Sequence, residues 1–67
     1  MARMKDIKEW GELLRIGTKK SFSTQGLHGW LREQSGSFHV STLQGYMEEL
    51  NRMGYIRYSN YRWRVIG

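Results

Sequence analysis

Hydrophobic residues recur every three or four positions in three stretches of the chain, a spacing that places them on one face of an α-helix. The first stretch runs from Met4 to Ile16 and ends at Gly17, and its apolar positions are Met4, Ile7, Trp10, Leu13 and Leu14. A glycine inside a helix costs about 1 kcal/mol relative to alanine. Because Gly11 lies within this stretch, we expect another element to pack closely against it.

The second stretch predicts a helix over residues 24–34 that buries Leu27, Trp30 and Leu31. Ser23 or Thr24 is suited to the N-cap, because a hydroxyl there accepts a hydrogen bond from a free backbone amide of the first turn. Phe22 and its neighbours, just before this helix, could form a very short strand.

The third stretch begins at Ser41, which together with Gln44 has the spacing of a capping box. Its predicted buried stripe is Leu43, Met47 and Leu50, with Tyr46 and Met53 on the flanks, and Gly54 ends it.

After Gly54 the pattern changes to alternation, in residues 55–58 and again in residues 61–66, which predicts a β-hairpin. Ser59 and Asn60 would form its two-residue turn, so that Arg57 pairs with Arg62. One face would then carry Ile56, Tyr58, Tyr61, Trp63 and Val65, and the other Tyr55, Arg57, Arg62 and Arg64.

Length and charge narrow the class of protein. With 67 residues, no cysteine and a net charge of +5 at a pI near 10, the chain predicts a single small domain without disulfides. The basic balance favours nucleic acid as a partner, although an anionic membrane surface or an acidic protein would also fit. Charges in residues 3–9 exclude a signal peptide, and no apolar run approaches the roughly 18 residues that span a bilayer. Among these partners we predict nucleic acid and no membrane.

The arginine-bearing face of the hairpin is the strongest candidate for function. Arginines opposite each other across two strands repel, and no carboxylate in the hairpin balances them. Phosphate would supply the missing countercharge, since arginine binds it bidentately. The alternative is a solvated edge kept basic to prevent strand-to-strand aggregation. Tyr55, predicted to point outward beside the arginines, could stack on a base.

The first turn of the third helix is the second candidate. Its free amides suit a phosphate. Gln44 can pair with adenine, and Thr42 can touch a thymine methyl group. Glu48 and Glu49 would repel phosphate, so only the N-terminal half should approach DNA. An ordinary polar helix face is the alternative.

Enzymatic chemistry finds little support in the sequence. His28 and His39 have no cysteine beside them and no carboxylates at metal-binding spacing, so we predict no metal site. A glycine-rich phosphate loop and a nucleophile elbow are both lacking. We therefore predict no catalytic residue, no cofactor, no small-molecule substrate and little room for a pocket of about 300 Å³.

The order helix, short extended segment, helix, helix, hairpin resembles the winged helix-turn-helix DNA-binding superfamily. The most specific part is STLQGYMEELNRMGYI, which is similar to the recognition helix of many bacterial and archaeal regulators. The positions that match are Ser41, Thr42, Leu43, Met47, Leu50, Gly54 and Ile56. The resemblance implies an α+β fold over residues 1–67, with three helices and a two-stranded wing. A third very short strand near Phe22 would complete it.

The resemblance also implies that the third helix enters the major groove and that the wing contacts the backbone or minor groove. The helix candidates are then Ser41, Thr42, Gln44, Gly45 and, at the margin, Tyr46. The wing candidates are Arg57, Asn60, Arg62 and Arg64, with Lys19 and Lys20 as further phosphate contacts.

We therefore expect a non-catalytic module that binds double-stranded DNA, in transcription regulation or DNA maintenance. It would be located in the cytoplasm at the nucleoid, or in the nucleus of a eukaryote. Two alternative functions stay open. The chain could be a protein-interaction or accessory domain of a larger complex, with Glu48 and Glu49 as its docking surface. It could bind RNA. A homodimer through the first helix is compatible with either function.

Overall fold

Three helices and one antiparallel sheet make up the structure, a computed structural model that describes residues 3–66. The elements in chain order are α1 (Met4–Ile16), β1 (Ser21–Phe22), α2 (Thr24–Ser35), α3 (Val40–Arg52), β2 (Ile56–Ser59) and β3 (Arg62–Val65). The strands lie in the order β1-β3-β2. The predicted α+β class, the element order and the short strand at Phe22 are confirmed. Of the predicted domain, Met1, Ala2 and Gly67 lie outside the described residues.

The core lies between the three helices and the inner face of the sheet. Its fully buried side chains are Leu27, Leu31, Leu43, Leu50 and Ile56. Helix α1 adds Ile7, Trp10 and Leu14, whereas Met4 and Leu13, predicted on the same stripe, are exposed. The buried stripe of α1 is therefore narrower than predicted.

The start of α2 agrees with its predicted cap, and the start of α3 does not. Ser23 Oγ accepts a hydrogen bond from the Gly26 amide at 3.0 Å. Helix α3 begins at Val40 with His39 as its N-cap residue, and the His39 carbonyl accepts from the Leu43 amide at 3.0 Å. Ser41 is thus already inside the first turn, where its side chain cannot cap, so the predicted capping box is wrong.

The hairpin turn lies one residue later than predicted. Its central residues are Asn60 and Tyr61, with φ angles of 52° and 61°. Arg57 therefore pairs with Arg64, and Ser59 pairs with Arg62, so the predicted Arg57–Arg62 pair is wrong. Each partner moves by two residues, so the assignment of strand residues to faces is unchanged. Tyr61 no longer lies on its predicted face, because it is now part of the turn.

Tyr55 does not point outward beside the arginines, as the alternation predicted. It precedes β2, is half-buried against α1, and its hydroxyl donates to Glu12 Oε2 at 2.7 Å. The Tyr55 carbonyl also accepts from the Ile66 amide at 2.8 Å. Tyr55 therefore links the base of the hairpin to α1 and is not available to stack on a base.

Candidate nucleic-acid interface

Three arginines occupy the outer face of the sheet. Arg57 on β2 is directly opposite Arg64 on β3, and Arg64 is opposite Ser21 on β1. Arg62 lies on the same face, because alternate residues of a strand point to the same side. Its Nε donates to Ser21 Oγ at 2.6 Å, which anchors the guanidinium group across the sheet. All three arginines are exposed.

This face carries a positive charge that no carboxylate within residues 3–66 neutralises. Within residues 3–66, the ion pairs join Arg15 to Glu12 and Arg52 to Glu49, both within single helices. Arg57, Arg62 and Arg64 have no carboxylate partner in that part of the chain. Since like charges directly opposite each other across strands are destabilising, an anion bound here would remove an existing repulsion.

The two predicted lysines lie beside β1, and each already has a contact. Lys19 Nζ lies 4.8 Å from the centroid of the Phe22 ring, a cation–π contact. The Lys20 ammonium group donates to the Arg15 carbonyl at the end of α1. A cation there compensates the negative end of the helix dipole. Lys20 is therefore less available to a phosphate than Lys19.

The predicted residues of α3 do not share one surface. Ser41, Gln44 and Gly45 lie on one side, at the i, i+3, i+4 spacing that defines a helix face. Apart from its chain neighbours and the backbone of its own helix, no atom of residues 3–66 lies within 4 Å of the position that a Cβ on Gly45 would take. This part of α3 is therefore open to a close approach by a ligand.

The other two predicted residues of α3 face α1. Thr42 is half-buried and lines a cleft with Asp6 and Trp10. Tyr46 is only 8% exposed, and its ring meets Trp10 edge-on, with ring centroids 5.1 Å apart. The structure thus separates Thr42 and Tyr46 from Gln44.

Gln44 also lines a groove of about 290 Å³ between α3 and the sheet, together with Thr24, Glu48 and Trp63. Trp63 Nε1 donates to Thr24 Oγ1 at 3.1 Å, which fixes the indole on the helix-facing side of β3. By strand alternation, Arg62 and Arg64 lie on the opposite side of the same strand. The exposed side of α3 and the arginine face therefore lie on opposite sides of the wing.

The tip of the wing presents an aromatic side chain that the sequence assigned to the inner face. Tyr61 is 87% exposed, and Asn60 beside it is also exposed. Behind the tip, Tyr58 is 48% exposed and its ring lies against Trp63, with centroids 4.9 Å apart. Aromatic pairing could not have located the turn, because the predicted turn would pair Tyr58 with Tyr61 and the observed turn pairs Tyr58 with Trp63.

The cleft beside α1 has a volume of about 610 Å³, so the prediction of little room for a pocket is wrong. It is open to solvent and lined by Asp6, Trp10, Gln34, Ser35, Gly36, Ser37, Thr42 and Tyr46. Asp6 is the single acid in this lining, and its carboxylate accepts from the Arg3 amide at 3.1 Å. This lining offers neither a pair of acids nor a nucleophile beside a base.

The two histidines lie at different places in the fold. His39 is the exposed N-cap residue of α3, and Nε2 of His28 is buried without a hydrogen-bond partner in the described chain. Residues 3–66 contain no group of three His, Cys, Asp or Glu side chains that could hold a metal ion.

Comparison of the chain with protein-family models, with curated proteins and with solved structures gives no match. None of the helices in the described part of the chain has the length and apolar character needed to cross a membrane.

Proposed function

We propose that this protein is a non-catalytic module that binds double-stranded DNA. The observation that carries the proposal is the arginine face, in which Arg57 and Arg64 oppose each other without a carboxylate partner among the described residues. A row of DNA phosphates matches this arrangement, because guanidinium groups bind phosphate oxygens bidentately and the bound anions relieve the repulsion.

In this proposal the exposed side of α3 lies in the major groove, and the wing lies along the adjoining backbone. Gln44 contacts base edges, Ser41 contacts phosphate, and Gly45 allows the helix backbone to approach closely. Most of the affinity comes from the arginine face and Lys19. Such a module would act at the nucleoid or in a nucleus, in transcription regulation or DNA maintenance.

In the alternative function, Glu48 and Glu49 would form the surface that binds a partner protein, and one of these two acids already has an ion pair. The Glu49 carboxylate is engaged by Arg52, which leaves Glu48 as an exposed acid on that part of α3. One free carboxylate is a weak basis for binding a partner protein. We therefore favour DNA over a protein as the ligand.

Fluorescence anisotropy with a labelled random duplex, between about 50 and 200 mM salt, tests the proposal. A variant with Arg57, Arg62 and Arg64 all changed to alanine should bind more weakly. Its plot of log K against log salt should be flatter by about 2 to 3 units, because roughly one counterion is released per phosphate contact.

A control variant removes the same charge from the helices, by alanine at Lys5, Lys8 and Arg32, all of which are exposed. It should keep most of the affinity and slope. Equal losses in both variants would refute the arginine face as the binding surface. Absence of binding by the unaltered protein at about 50 mM salt would refute the proposed function. The same assay with duplex RNA tests the RNA alternative.

A further inference from the structure

The turn of the wing contains a backbone conformation that tyrosine rarely adopts. Tyr61 has φ 61° at the second central position of a two-residue hairpin turn, and Asn60 at the first has φ 52°. Turns with two positive φ angles strongly prefer Asn-Gly, because glycine has no Cβ to clash with the backbone. Asn60 follows this preference, and Tyr61 violates it.

Contacts among the described residues do not compensate for this strain. Tyr61 is 87% exposed, and within residues 3–66 its hydroxyl makes no hydrogen bond and its ring has no aromatic or cationic partner. Glycine at position 61 would therefore fit the fold better than tyrosine does. Strained residues that persist without a structural benefit occur preferentially where a ligand binds.

The surroundings of Tyr61 indicate the chemistry of that ligand. Arg62 follows directly, with an exposed guanidinium group, and the half-exposed Tyr58 lies behind the tip against Trp63. Proteins bind nucleic acid with unstacked bases through two components, exposed aromatic rings and nearby cations. The rings stack on the bases, and the cations contact the phosphate backbone. In a continuous duplex the faces of the bases are covered by their neighbours, so a ring at the tip would have no base face to contact.

We propose that Tyr61 stacks on an unpaired base, and that the preferred ligand is duplex DNA next to a single-stranded segment, such as a fork. The inference rests on the proposed function, because the arginine face and α3 hold the duplex portion. Arg62 contacts the phosphate beside the stacked base, where the strand leaves the duplex.

The test compares a blunt duplex with a fork that has the same duplex sequence and carries 2-aminopurine as its first unpaired base. The unaltered protein should bind the fork about tenfold more tightly, as expected for one base–aromatic stack. It should also quench the 2-aminopurine fluorescence. Tyr61→Ala should lose both the preference for the fork and the quenching, and it should keep its affinity for the blunt duplex. Tyr61→Trp should keep the preference, the quenching and the affinity for the blunt duplex.

Two further variants separate stacking from general effects. Tyr61→Gly should raise the melting temperature and still lose the preference for the fork, which excludes misfolding as the cause. Phe38→Ala removes a ring that is 74% exposed in the connection between α2 and α3, and it should keep the preference. Equal binding of fork and blunt duplex by the unaltered protein would overturn the stacking role and leave the proposed function intact. Binding to neither DNA would overturn the proposed function itself.

Discussion

The ring of Tyr55 fills the space in which any other residue at position 11 would place its Cβ. A Cβ built on Gly11 would lie 2.3 Å from Tyr55 Cδ2 and 2.5 Å from Cγ, far inside van der Waals contact. The glycine that weakens α1 is therefore what allows the base of the hairpin to pack directly against this helix.

Gly11→Ala should destabilise the protein by about 1 to 3 kcal/mol, since the ring must move and overpacked sites lose that amount. Urea unfolding followed by circular dichroism measures the change. Gly29→Ala in α2 is the matched control, because no described atom beyond its chain neighbours and its own helix backbone lies within 4 Å of the added Cβ. It should stabilise by up to about 1 kcal/mol through helix propensity. A stabilised Gly11→Ala would contradict the packing of Tyr55 against α1.

The Tyr55–Glu12 hydrogen bond should make stability depend on pH at both ends of the range. The Tyr55 hydroxyl, followed by the nearby Arg15, holds the pKa of Glu12 below its ordinary value. The same hydrogen bond, with some burial, raises the pKa of Tyr55. The contribution of Glu12 is therefore present above the ordinary carboxylate pKa and is lost as pH falls through the lowered one. The contribution of Tyr55 is present below the ordinary phenol pKa and is lost as pH rises through the raised one.

Tyr55→Phe keeps the ring on Gly11 and removes only the hydroxyl. We expect its unfolding midpoint in urea to lie below that of the unaltered protein near neutral pH. The two midpoints should converge when Glu12 is protonated or when Tyr55 is ionised. A constant difference across the whole pH series would show that the hydrogen bond is not its source.

Arg57→Thr should move stability and DNA binding in opposite directions. Removing one of two opposed arginines relieves a repulsion of about 0.2 to 1 kcal/mol, and threonine suits a strand. It also removes one phosphate contact, which should flatten the salt dependence of DNA binding by about one unit. Thermal unfolding and anisotropy on the same preparation give both values. Higher stability with unchanged DNA binding would show that Arg57 contacts solvent and not a DNA phosphate.

Gly45→Ala tests whether the backbone of α3 approaches DNA. The space around Gly45 is open, so alanine should stabilise the free protein by up to about 1 kcal/mol. If the helix backbone lies close to the major groove, the same methyl group should weaken binding severalfold. Gly29→Ala is again the control, and it should stabilise without any change in affinity. Equal affinities for the two variants would place the DNA away from Gly45.

The sequence predicted the helices and the face assignments well, because both depend on the periodicity of buried residues such as Leu43 and Ile56. It misplaced the hairpin turn, since Ser59-Asn60 and Asn60-Tyr61 give the same alternation, and only cross-strand contacts of Tyr58 and Trp63 distinguish them. It also grouped Thr42 with Gln44, although residues two positions apart point to different sides of a helix. The proposed stacking site at Tyr61 could not be predicted from the sequence, because the argument for it depends on the positive φ angle of Tyr61, which only the structure gives.

The order of the strands has a consequence for how the protein is made. The central strand β3 follows both of its neighbours in the sequence, and both depend on it for pairing. The hydrogen bonds Tyr55–Glu12, Arg62–Ser21 and Trp63–Thr24 join residues 43, 41 and 39 positions apart. A nascent chain that stops before Arg62 therefore lacks both strand pairs. Folding of the sheet during synthesis must wait until translation has passed β3, and prematurely terminated products should be readily degraded.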